Sequence, residues 1–229
     1  MKYVLIPVKD LSKAKQRLAG VMSPDERTTL ARLMMEHVFQ QVSNAGGYDR
    51  AAVVTLYEPA IQLGDRLGFE IIRETEQISE TVSVDSASRI LTETGAHSVL
   101  RLPVDLPLVR AEDIDAVLSR LSGRAGKPEA VIVASRDRTG TNALGRTPPR
   151  LFPSHFGPGS FERHRREAQR CGAAWLELDL APIRCDIDDP EDVAYLLEQG
   201  CSGKAREYLM ELRMRDRLQS RAREQGCRS

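Results

Sequence analysis

Short apolar runs alternate with segments of helical periodicity along the first 200 residues of the chain. Residues 3–8 (YVLIPV) and 51–55 (AAVVT) are apolar runs of strand length. Between them, residues 23–26 (SPDE) have the sequence of a helix capping box with proline at the first helical position, and apolar residues then recur at helical spacing up to 46–47. Strands that alternate with helices predict an α/β protein with a single, mostly parallel (mixed) central sheet flanked by helices.

The same alternation predicts the remaining elements. We expect helices at 59–67 and 112–121, a helix that begins near Ser86, and strands at 69–73, 99–104, 130–134 and 183–187. The polar, glycine-containing stretch 135–145 is typical of a loop.

The stretch 97–110 (HSVLRLPVDLPLVR) organises the chain. Its nearly continuous apolar run predicts a strand buried on both faces. The run stops at Asp105, and Pro107 then excludes further ladder pairing. Because α/β sheets bind ligands at the carboxyl ends of their strands, Asp105 is a candidate ligand-binding carboxylate. The alternative is that Asp105 only caps the next turn or helix.

A second acidic motif follows the predicted strand at 183–187. Asp189 and Asp192 have the positions of another capping box, which gives them a structural role. Asp186 and Asp188 are not explained in that way, and they would share one face if the strand continued through them. Two carboxylates on one face repel each other unless a cation neutralises them, and oxygen-only ligands favour Mg²⁺ or Mn²⁺.

Basic residues follow the first predicted strand directly. Lys9, Lys13, Lys15 and Arg17 lie at the strand end that faces the ligand crevice of an α/β sheet. They could clamp a polyphosphate, or they could form a solvated basic loop. No glycine-rich cradle accompanies them, so the segment is neither a P-loop nor a dinucleotide-binding fingerprint.

Residues 155–172 (HFGPGSFERHRREAQRCG) contain candidate anion-binding chemistry. Gly157 and Gly159 permit a backbone that points N–H groups into one concavity, and Ser160 is a good N-cap for the helix that follows. Backbone donors and a helix N-terminus together form an anion site. An ordinary loop-to-helix junction is the alternative. His155 and His164 could add a positive charge near such an anion, or they could cap and pack the loop.

Composition narrows the classes of function. The 229 residues include 33 Lys and Arg and 33 Asp and Glu, so the formal net charge is zero. Overall charge therefore does not indicate binding to nucleic acid or to an acidic membrane surface. No apolar run reaches membrane-spanning length. The four cysteines, at 171, 185, 201 and 227, lack metal-type spacing and fit reduced thiols. We therefore expect a cytoplasmic protein without nucleic-acid or membrane partners.

The C-terminal segment 203–229 differs in composition from the rest. It carries eight Lys or Arg and four Asp or Glu, a net charge of +4 in a chain whose remainder is −4. We predict one domain at 1–202 and a charged helical tail at 203–229 with a narrow apolar stripe. The tail would dock on the body or on a second subunit, and the second arrangement would make a homodimer.

Five stretches occur together in an order typical of one family: IPVKDLSKAKQRLA, LPVDLPLV, GTNAL at 140–144, HFGPGSFERH and DIDDPED. On these motifs the chain resembles the 2-phospho-L-lactate guanylyltransferase family, with its GT-A-like (Rossmann-like) nucleotidyltransferase fold. The resemblance covers residues 2 to about 198 and leaves the last thirty outside. It implies transfer of a guanylyl group from GTP to the phosphate of a small phospho-acid, with release of pyrophosphate, in the synthesis of coenzyme F-420. The implied acceptor is 2-phospho-L-lactate, phosphoenolpyruvate or 3-phosphoglycerate.

The resemblance also implies roles for individual residues. Asp105, Asp186 and Asp188 would be the catalytic residues that bind Mg²⁺ or Mn²⁺. The acceptor's phosphate would bind at Thr141, Gly157, Gly159 and Ser160, and the nucleotide would bind at Pro7, Lys9, Lys15, Arg17, Ser83 and Asp85. An acceptor phosphate is already an anionic nucleophile at neutral pH, so the reaction needs no Ser-His-Asp machinery.

The stretch 83–87 (SVDSA) departs from the family pattern. Many relatives have G-L-N-x-A there, at the nucleotide-base site. The Asp85 carboxylate could accept the N1–H and 2-amino groups of guanine, bind the ribose hydroxyls, or cap the helix that begins near Ser86.

Two rival functions remain. One is another nucleotidyltransferase of this fold that acts on a sugar phosphate, a methylerythritol-type phosphate or molybdopterin. Such enzymes typically carry a glycine-rich first loop, which residues 7–18 lack. The other is a nucleotide-binding module without catalysis, in which three converging carboxylates would have little purpose.

Overall fold

The computed structural model describes residues 1–121, 127–200 and 202–226. Its strands are β1 (Lys2–Pro7), β2 (Arg50–Thr55), β3 (Glu70–Arg73), β4 (Ser98–Arg101), β5 (Glu129–Ala134), β6 (Thr141–Thr147) and β7 (Ala174–Glu177). They form one sheet in the order β3-β2-β1-β4-β6-β5-β7. Strand β6 is antiparallel to both of its neighbours, and the other neighbouring strands are parallel. The predicted mixed, mostly parallel sheet is confirmed.

The helices are α1 (Pro24–Asn44), α2 (Glu58–Arg66), α3 (Glu80–Glu93), α4 (Ala111–Arg120), α5 (Ser160–Arg170), α6 (Ala181–Arg184), α7 (Pro190–Glu198), α8 (Lys204–Glu211) and α9 (Met214–Gly226). Helix α1 begins at the predicted capping box. The Ser23 side chain accepts the Glu26 N–H, and the Glu26 carboxylate accepts the Ser23 N–H at 2.8 Å. These two bonds satisfy backbone donors that the first turn of a helix otherwise leaves unpaired.

Strand β1 separates two parts of the hydrophobic core. Val4 and Ile6 pack on the face that α1 and α4 cover, whereas Tyr3 and Leu5 pack on the face that α3 covers. All four side chains are buried, because alternate residues of a strand point to opposite faces of the sheet. Burial on both faces explains the nearly unbroken apolar sequence of this strand.

The segment 183–187 is not a strand, contrary to the prediction. Ala181–Arg184 form the short helix α6 with Pro182 in its first turn, and an irregular segment follows. The Ile187 N–H donates to the backbone oxygen of Asp105 at 3.2 Å. The alternation in IRCDI imitates the period of a strand, whereas the proline favours the start of a helix.

The polar stretch 135–145 is a loop only in its first part. Strand β6 begins at Thr141, next to β4. Thr141 and Asn142 are buried there with hydrogen-bonded side chains, so the sheet accommodates their polarity. Strand β4 ends at Arg101 instead of at 104, because Pro103 has no N–H with which to continue the ladder.

Helix α3 begins six residues before the predicted start near Ser86. Ser79 caps it by accepting a backbone N–H of the first turn at 3.2 Å. Ser83 and Asp85 therefore lie inside the helix. The proposal that Asp85 caps a helix that begins near Ser86 is wrong.

The charged tail forms two helices, and both pack on the body of the same chain. Leu209 of α8 and Met214 of α9 are fully buried in a cluster that includes Leu30 of α1. Arg217 of α9 pairs with Glu26 of α1 at 2.8 Å. The division at residue 202 and the homodimer stay predictions.

Within the described residues, no helix combines the length and the apolar character that crossing a membrane requires. The cytoplasmic location stays a prediction. Cys171 is an exposed thiol and Cys185 a buried one, and Cys201 and Cys227 lie outside the described residues.

Candidate active site

A cleft of about 750 Å³ opens beyond the carboxyl ends of β1 and β4, where α/β sheets bind ligands. Ten predicted site residues line it: Pro7, Lys9, Lys15, Arg17, Asp105, Thr141, Gly157, Ser160, Asp186 and Asp188. Ser83, Asp85 and Gly159 are not part of its wall. The structure thus brings most of the predicted site together.

Lys15 lies between two of the three carboxylates. Its Nζ donates to Asp105 Oδ2 at 2.7 Å and to Asp188 Oδ1 at 3.0 Å. The backbone at Lys15 is left-handed, with a φ of 55°, which is uncommon for a residue other than glycine. Burial opposes the ammonium charge, but the two carboxylates outweigh burial and raise the pKa of Lys15. Burial likewise opposes ionisation of Asp105, and Lys15 outweighs it and lowers the pKa of that carboxyl.

The third carboxylate, Asp186, has a neutral hydrogen-bond donor. Asn142 Nδ2 donates to Asp186 Oδ1 at 2.9 Å. Burial and the nearby Asp105 carboxylate together raise the pKa of Asp186 to about 7. The site therefore holds more negative charge than Lys15 alone compensates.

Hydrogen bonds fix the acidic segment that carries Asp186 and Asp188. Asn142 Nδ2 also donates to the Ile183 backbone oxygen at 2.9 Å. Asp192 accepts the Asp189 N–H at 3.1 Å, as the predicted capping box requires, and also accepts the Asp188 N–H at 3.0 Å. The start of α7 thus presents Asp188 to the cleft.

The donor set of this cluster suits a hard divalent cation. Asp105, Asp186 and Asp188 offer only oxygen atoms, which Mg²⁺ and Mn²⁺ prefer. Among the residues described, no group of three or more His, Cys, Asp or Glu side chains is already arranged to hold a metal ion. Instead the Lys15 ammonium lies between two of the carboxylates. The residue types fit a metal, and the Lys15 ammonium compensates part of their negative charge in this structure.

The wall formed by β6 and the start of α5 carries hydroxyl groups and a glycine loop. Ser160 Oγ donates to Thr141 Oγ1 at 3.1 Å. Gly157 and Gly159 have φ values of 108° and 71°, in the left-handed region that glycine adopts without strain. Gly159 occupies the cap position predicted for Ser160, which is the first residue of α5. A helix N-terminus and a hydroxyl pair beside a cleft suit an anion.

The two residues predicted for the base site have partners inside the fold. Ser83 Oγ donates to the Glu74 carboxylate. Asp85 accepts the Ser154 N–H at 3.0 Å and lies 3.5 Å from Arg146. These contacts hold the segment before the glycine loop, so the geometry gives Asp85 a supporting position. Its part in nucleotide binding stays a prediction.

Arg101, a buried residue of the cleft wall, is not among the residues predicted from the sequence. Arg101 Nη1 donates to the Thr141 backbone oxygen at 3.1 Å, and its Nη2 pairs with Glu80. Its guanidinium lies 4.2 Å from the centre of the Phe156 ring. A charged residue within a buried apolar run was the available signal, because such a charge needs partners. Asn142 was also missed, although it belongs to the GTNAL motif.

The sheet and its flanking helices have the fold of solved nucleotidyltransferases. A protein from Desulfovibrio desulfuricans G20, provisionally described as a nucleotide-diphospho-sugar transferase, matches with a TM-score of 0.75 at 15% identity, over 96% of this chain and 97% of that one. A 4-diphosphocytidyl-2C-methyl-D-erythritol synthase from Anaerococcus prevotii DSM 20548 gives 0.60 at 13% identity, over 92% and 96%. At these identities the likeness shows the fold.

Sequence comparison identifies the family. The family model "Guanylyl transferase CofC like" matches residues 1–226. The chain is 36% identical over 199 residues to a phosphoenolpyruvate guanylyltransferase of Rubrobacter xylanophilus (86% of this chain, 94% of that protein). It is 30% identical over 222 residues to a 3-phospho-D-glycerate guanylyltransferase of Phenylobacterium zucineum (96% and 100%) and 32% identical over 213 residues to a 2-phospho-L-lactate guanylyltransferase of Methanoregula boonei (92% and 88%). The chain belongs to this guanylyltransferase family. The match extends into the tail, so the resemblance is not limited to residues 2 to about 198.

Asp186 generates a prediction about stability and pH in the metal-free protein. Its folded-state pKa of about 7 exceeds the value of about 3.9 expected for an unfolded chain. The folded state therefore retains the proton longer, and this group lowers the free energy of unfolding as pH rises through that window. Asp186→Asn has no proton to lose, so its stability relative to the native protein should be higher at pH 8 than at pH 5.

Urea unfolding in EDTA at both pH values measures this difference. Asp65→Asn, at an exposed aspartate of α2, is the matched control and should show a constant difference. A difference for Asp186→Asn that is equal at pH 5 and pH 8 would contradict the raised pKa.

Proposed function

We propose that this protein transfers the guanylyl group of GTP to the phosphate of a small phospho-acid and releases pyrophosphate, in the synthesis of coenzyme F-420. The acceptor we propose is phosphoenolpyruvate, 2-phospho-L-lactate or 3-phosphoglycerate, which are the acceptors in the names of its relatives. The observation that carries the proposal is the position of the acidic cluster. It lies in one cleft with a cationic segment and with a glycine and hydroxyl loop.

The proposed reaction must bring two anions together. Two unit charges of the same sign 4 Å apart repel by about 4 kcal/mol at the effective dielectric near a protein surface. Lys9, Lys15 and Arg17 line the cleft and would offset part of this repulsion by binding the triphosphate of GTP. The acceptor phosphate is itself the nucleophile, so positioning and charge stabilisation carry the reaction.

Asp105, Asp186 and Asp188 would hold Mg²⁺ or Mn²⁺. When bound, such an ion would supply Lewis-acid stabilisation of the charge on the α-phosphoryl group. Support comes from the oxygen-only donor set and from the raised pKa of Asp186, which reflects burial and uncompensated negative charge. Thr141, Gly157, Gly159 and Ser160 would hold the acceptor's phosphate.

Pyrophosphate release tests the proposal directly. The purified protein is assayed with each of GTP, ATP, CTP and UTP against each of the three phospho-acids, with Mg²⁺, with Mn²⁺ or with EDTA. We expect turnover that depends on the phospho-acid, prefers GTP and stops in EDTA. Asp188→Ala should lower kcat at least about a hundredfold, the scale for loss of a key electrostatic group. Asp65→Ala, at an exposed residue that does not line the cleft, should not.

Turnover with a sugar phosphate but with none of the three acids would favour the rival transferase reading. Nucleotide binding without turnover would favour a non-catalytic module. Near-normal kcat in Asp188→Ala would show that Asp188 serves only the start of α7.

The glycine loop generates a second prediction. Gly159 and Gly172 both have a positive φ, and a Cβ added at either would meet no atom within 4 Å. Valine at either position should therefore strain the backbone to a similar degree. Only Gly159→Val should raise the KM for the phospho-acid, because Gly159 sets the turn between Gly157 and Ser160.

Steady-state kinetics with both substrates varied separate an effect on the KM of the phospho-acid from an effect on the KM of GTP. Thermal melting compares the backbone strain that valine causes at the two positions. Equal effects of Gly159→Val on the KM of GTP and of the phospho-acid would rule out a selective acceptor site in this loop.

A further inference from the structure

A buried histidine lies directly behind the hydroxyl pair of the cleft wall. His164 Nδ1 is 3.0 Å from Thr141 Oγ1, and Ser160 Oγ donates to the same oxygen at 3.1 Å. On the other side of the ring, the His155 backbone N–H donates to His164 Nε2 at 2.8 Å. His164 is completely buried, whereas Thr141 and Ser160 line the cleft.

The His155 bond fixes where the hydrogen atom of the imidazole lies. A backbone N–H can only donate, so Nε2 must be the acceptor. A neutral imidazole then carries its hydrogen on Nδ1, which donates to Thr141 Oγ1. His164 therefore acts as a donor towards the cleft wall and not as an acceptor.

The imidazole is neutral across the physiological range. Burial, followed by the positive charge of Arg146, lowers the pKa of His164 to about 3. Protonation of Nε2 would also place its hydrogen against the hydrogen of the His155 N–H, and the two would repel. This environment gives His164 a neutral role, in place of the positive charge near the acceptor that the sequence left open.

These contacts determine the hydrogen-bonding role of the Thr141 hydroxyl. Thr141 Oγ1 accepts from His164 and from Ser160, so the hydroxyl hydrogen of Thr141 is not used in either bond. The described residues provide no other acceptor for it within hydrogen-bond distance. An acceptor atom at the position of Nδ1 would instead draw that hydrogen away from the cleft.

We propose that His164 is a positioning residue that keeps the Thr141 hydroxyl available as a donor to an anionic oxygen of the phospho-acid. Through the His155 bond, the same ring fixes the segment that precedes Gly157. The inference rests on the proposed function only in placing the acceptor's anion at Thr141. His164 itself does not touch the substrate.

Two substitutions at one position test the two nitrogen atoms separately. His164→Asn retains a donor at the Nδ1 position, and His164→Gln retains an acceptor at the Nε2 position. Calorimetric titration with inorganic phosphate and with phosphoenolpyruvate measures anion binding without turnover. We expect His164→Asn to bind both anions within about twofold of the native affinity, and His164→Gln to lose about three- to tenfold, the range of a neutral hydrogen bond, because the Thr141 hydroxyl loses the donor that orients it.

Three controls distinguish an effect through the Thr141 hydroxyl from a general loss of folding or binding. His97→Gln removes another histidine whose Nδ1 contacts a hydroxyl, Ser98 at 3.0 Å, away from the cleft, and should leave anion binding unchanged. In a Thr141→Val background, His164→Gln should change phosphate affinity less than about twofold, because the hydroxyl through which it acts is gone. Thermal melting of every variant reports folding.

Equal anion affinities in His164→Asn and His164→Gln, an undiminished effect of His164→Gln in the Thr141→Val background, or no anion binding by the native protein would each overturn the inference. The proposed function fails differently. It fails if the native protein releases no pyrophosphate with any of the three acids, whatever the phosphate titrations show.

Discussion

Clustered, partly buried negative charge at one edge of the sheet is the constraint on which the rest of the site depends. Asp105 and Asp188 come from distant parts of the chain, and Lys15 bridges them at 2.7 and 3.0 Å. A charge removed from water costs several kcal/mol unless an opposite charge compensates it. The left-handed backbone at Lys15 and the capping box at the start of α7 both support this ion-pair cluster.

The two sides of the cleft differ in their chemistry, and the difference suits a reaction between two anions. Lys9 and Arg17 are exposed cations that attract a polyanion from a distance. The Thr141 and Ser160 hydroxyls are neutral and backed by the neutral His164, so they orient a small anion through directed hydrogen bonds. The acidic cluster contacts both sides, because Lys15 of the cationic segment pairs with Asp105, and Asn142, next to Thr141, donates to Asp186.

Local signals in the sequence predicted most of the fold, and long-range contacts limited the rest. The capping boxes at Ser23 and Asp189 and the apolar strand β1 depend on neighbouring residues, and all three are confirmed. The segment 183–187 differs from its predicted strand because Pro182 favours a helix start over the alternating pattern. The start of β6 differs from its predicted loop because buried partners satisfy the polar side chain of Asn142. The Lys15 bridge joins parts of the chain 90 and 173 residues apart, and no local pattern encodes such a contact.

Mn²⁺ binding to the nucleotide-free protein tests the central claim, that the three carboxylates form a cation site in which the Lys15 ammonium pairs with two of them. Electron paramagnetic resonance measures free Mn²⁺ during titration of the native protein, Lys15→Met and Lys13→Met, the last at an exposed lysine of the same segment. Lys15→Met should bind Mn²⁺ at least about tenfold more tightly than the native protein, because the ammonium no longer competes, and Lys13→Met should match the native protein. Equal Mn²⁺ affinity in all three would contradict the claim.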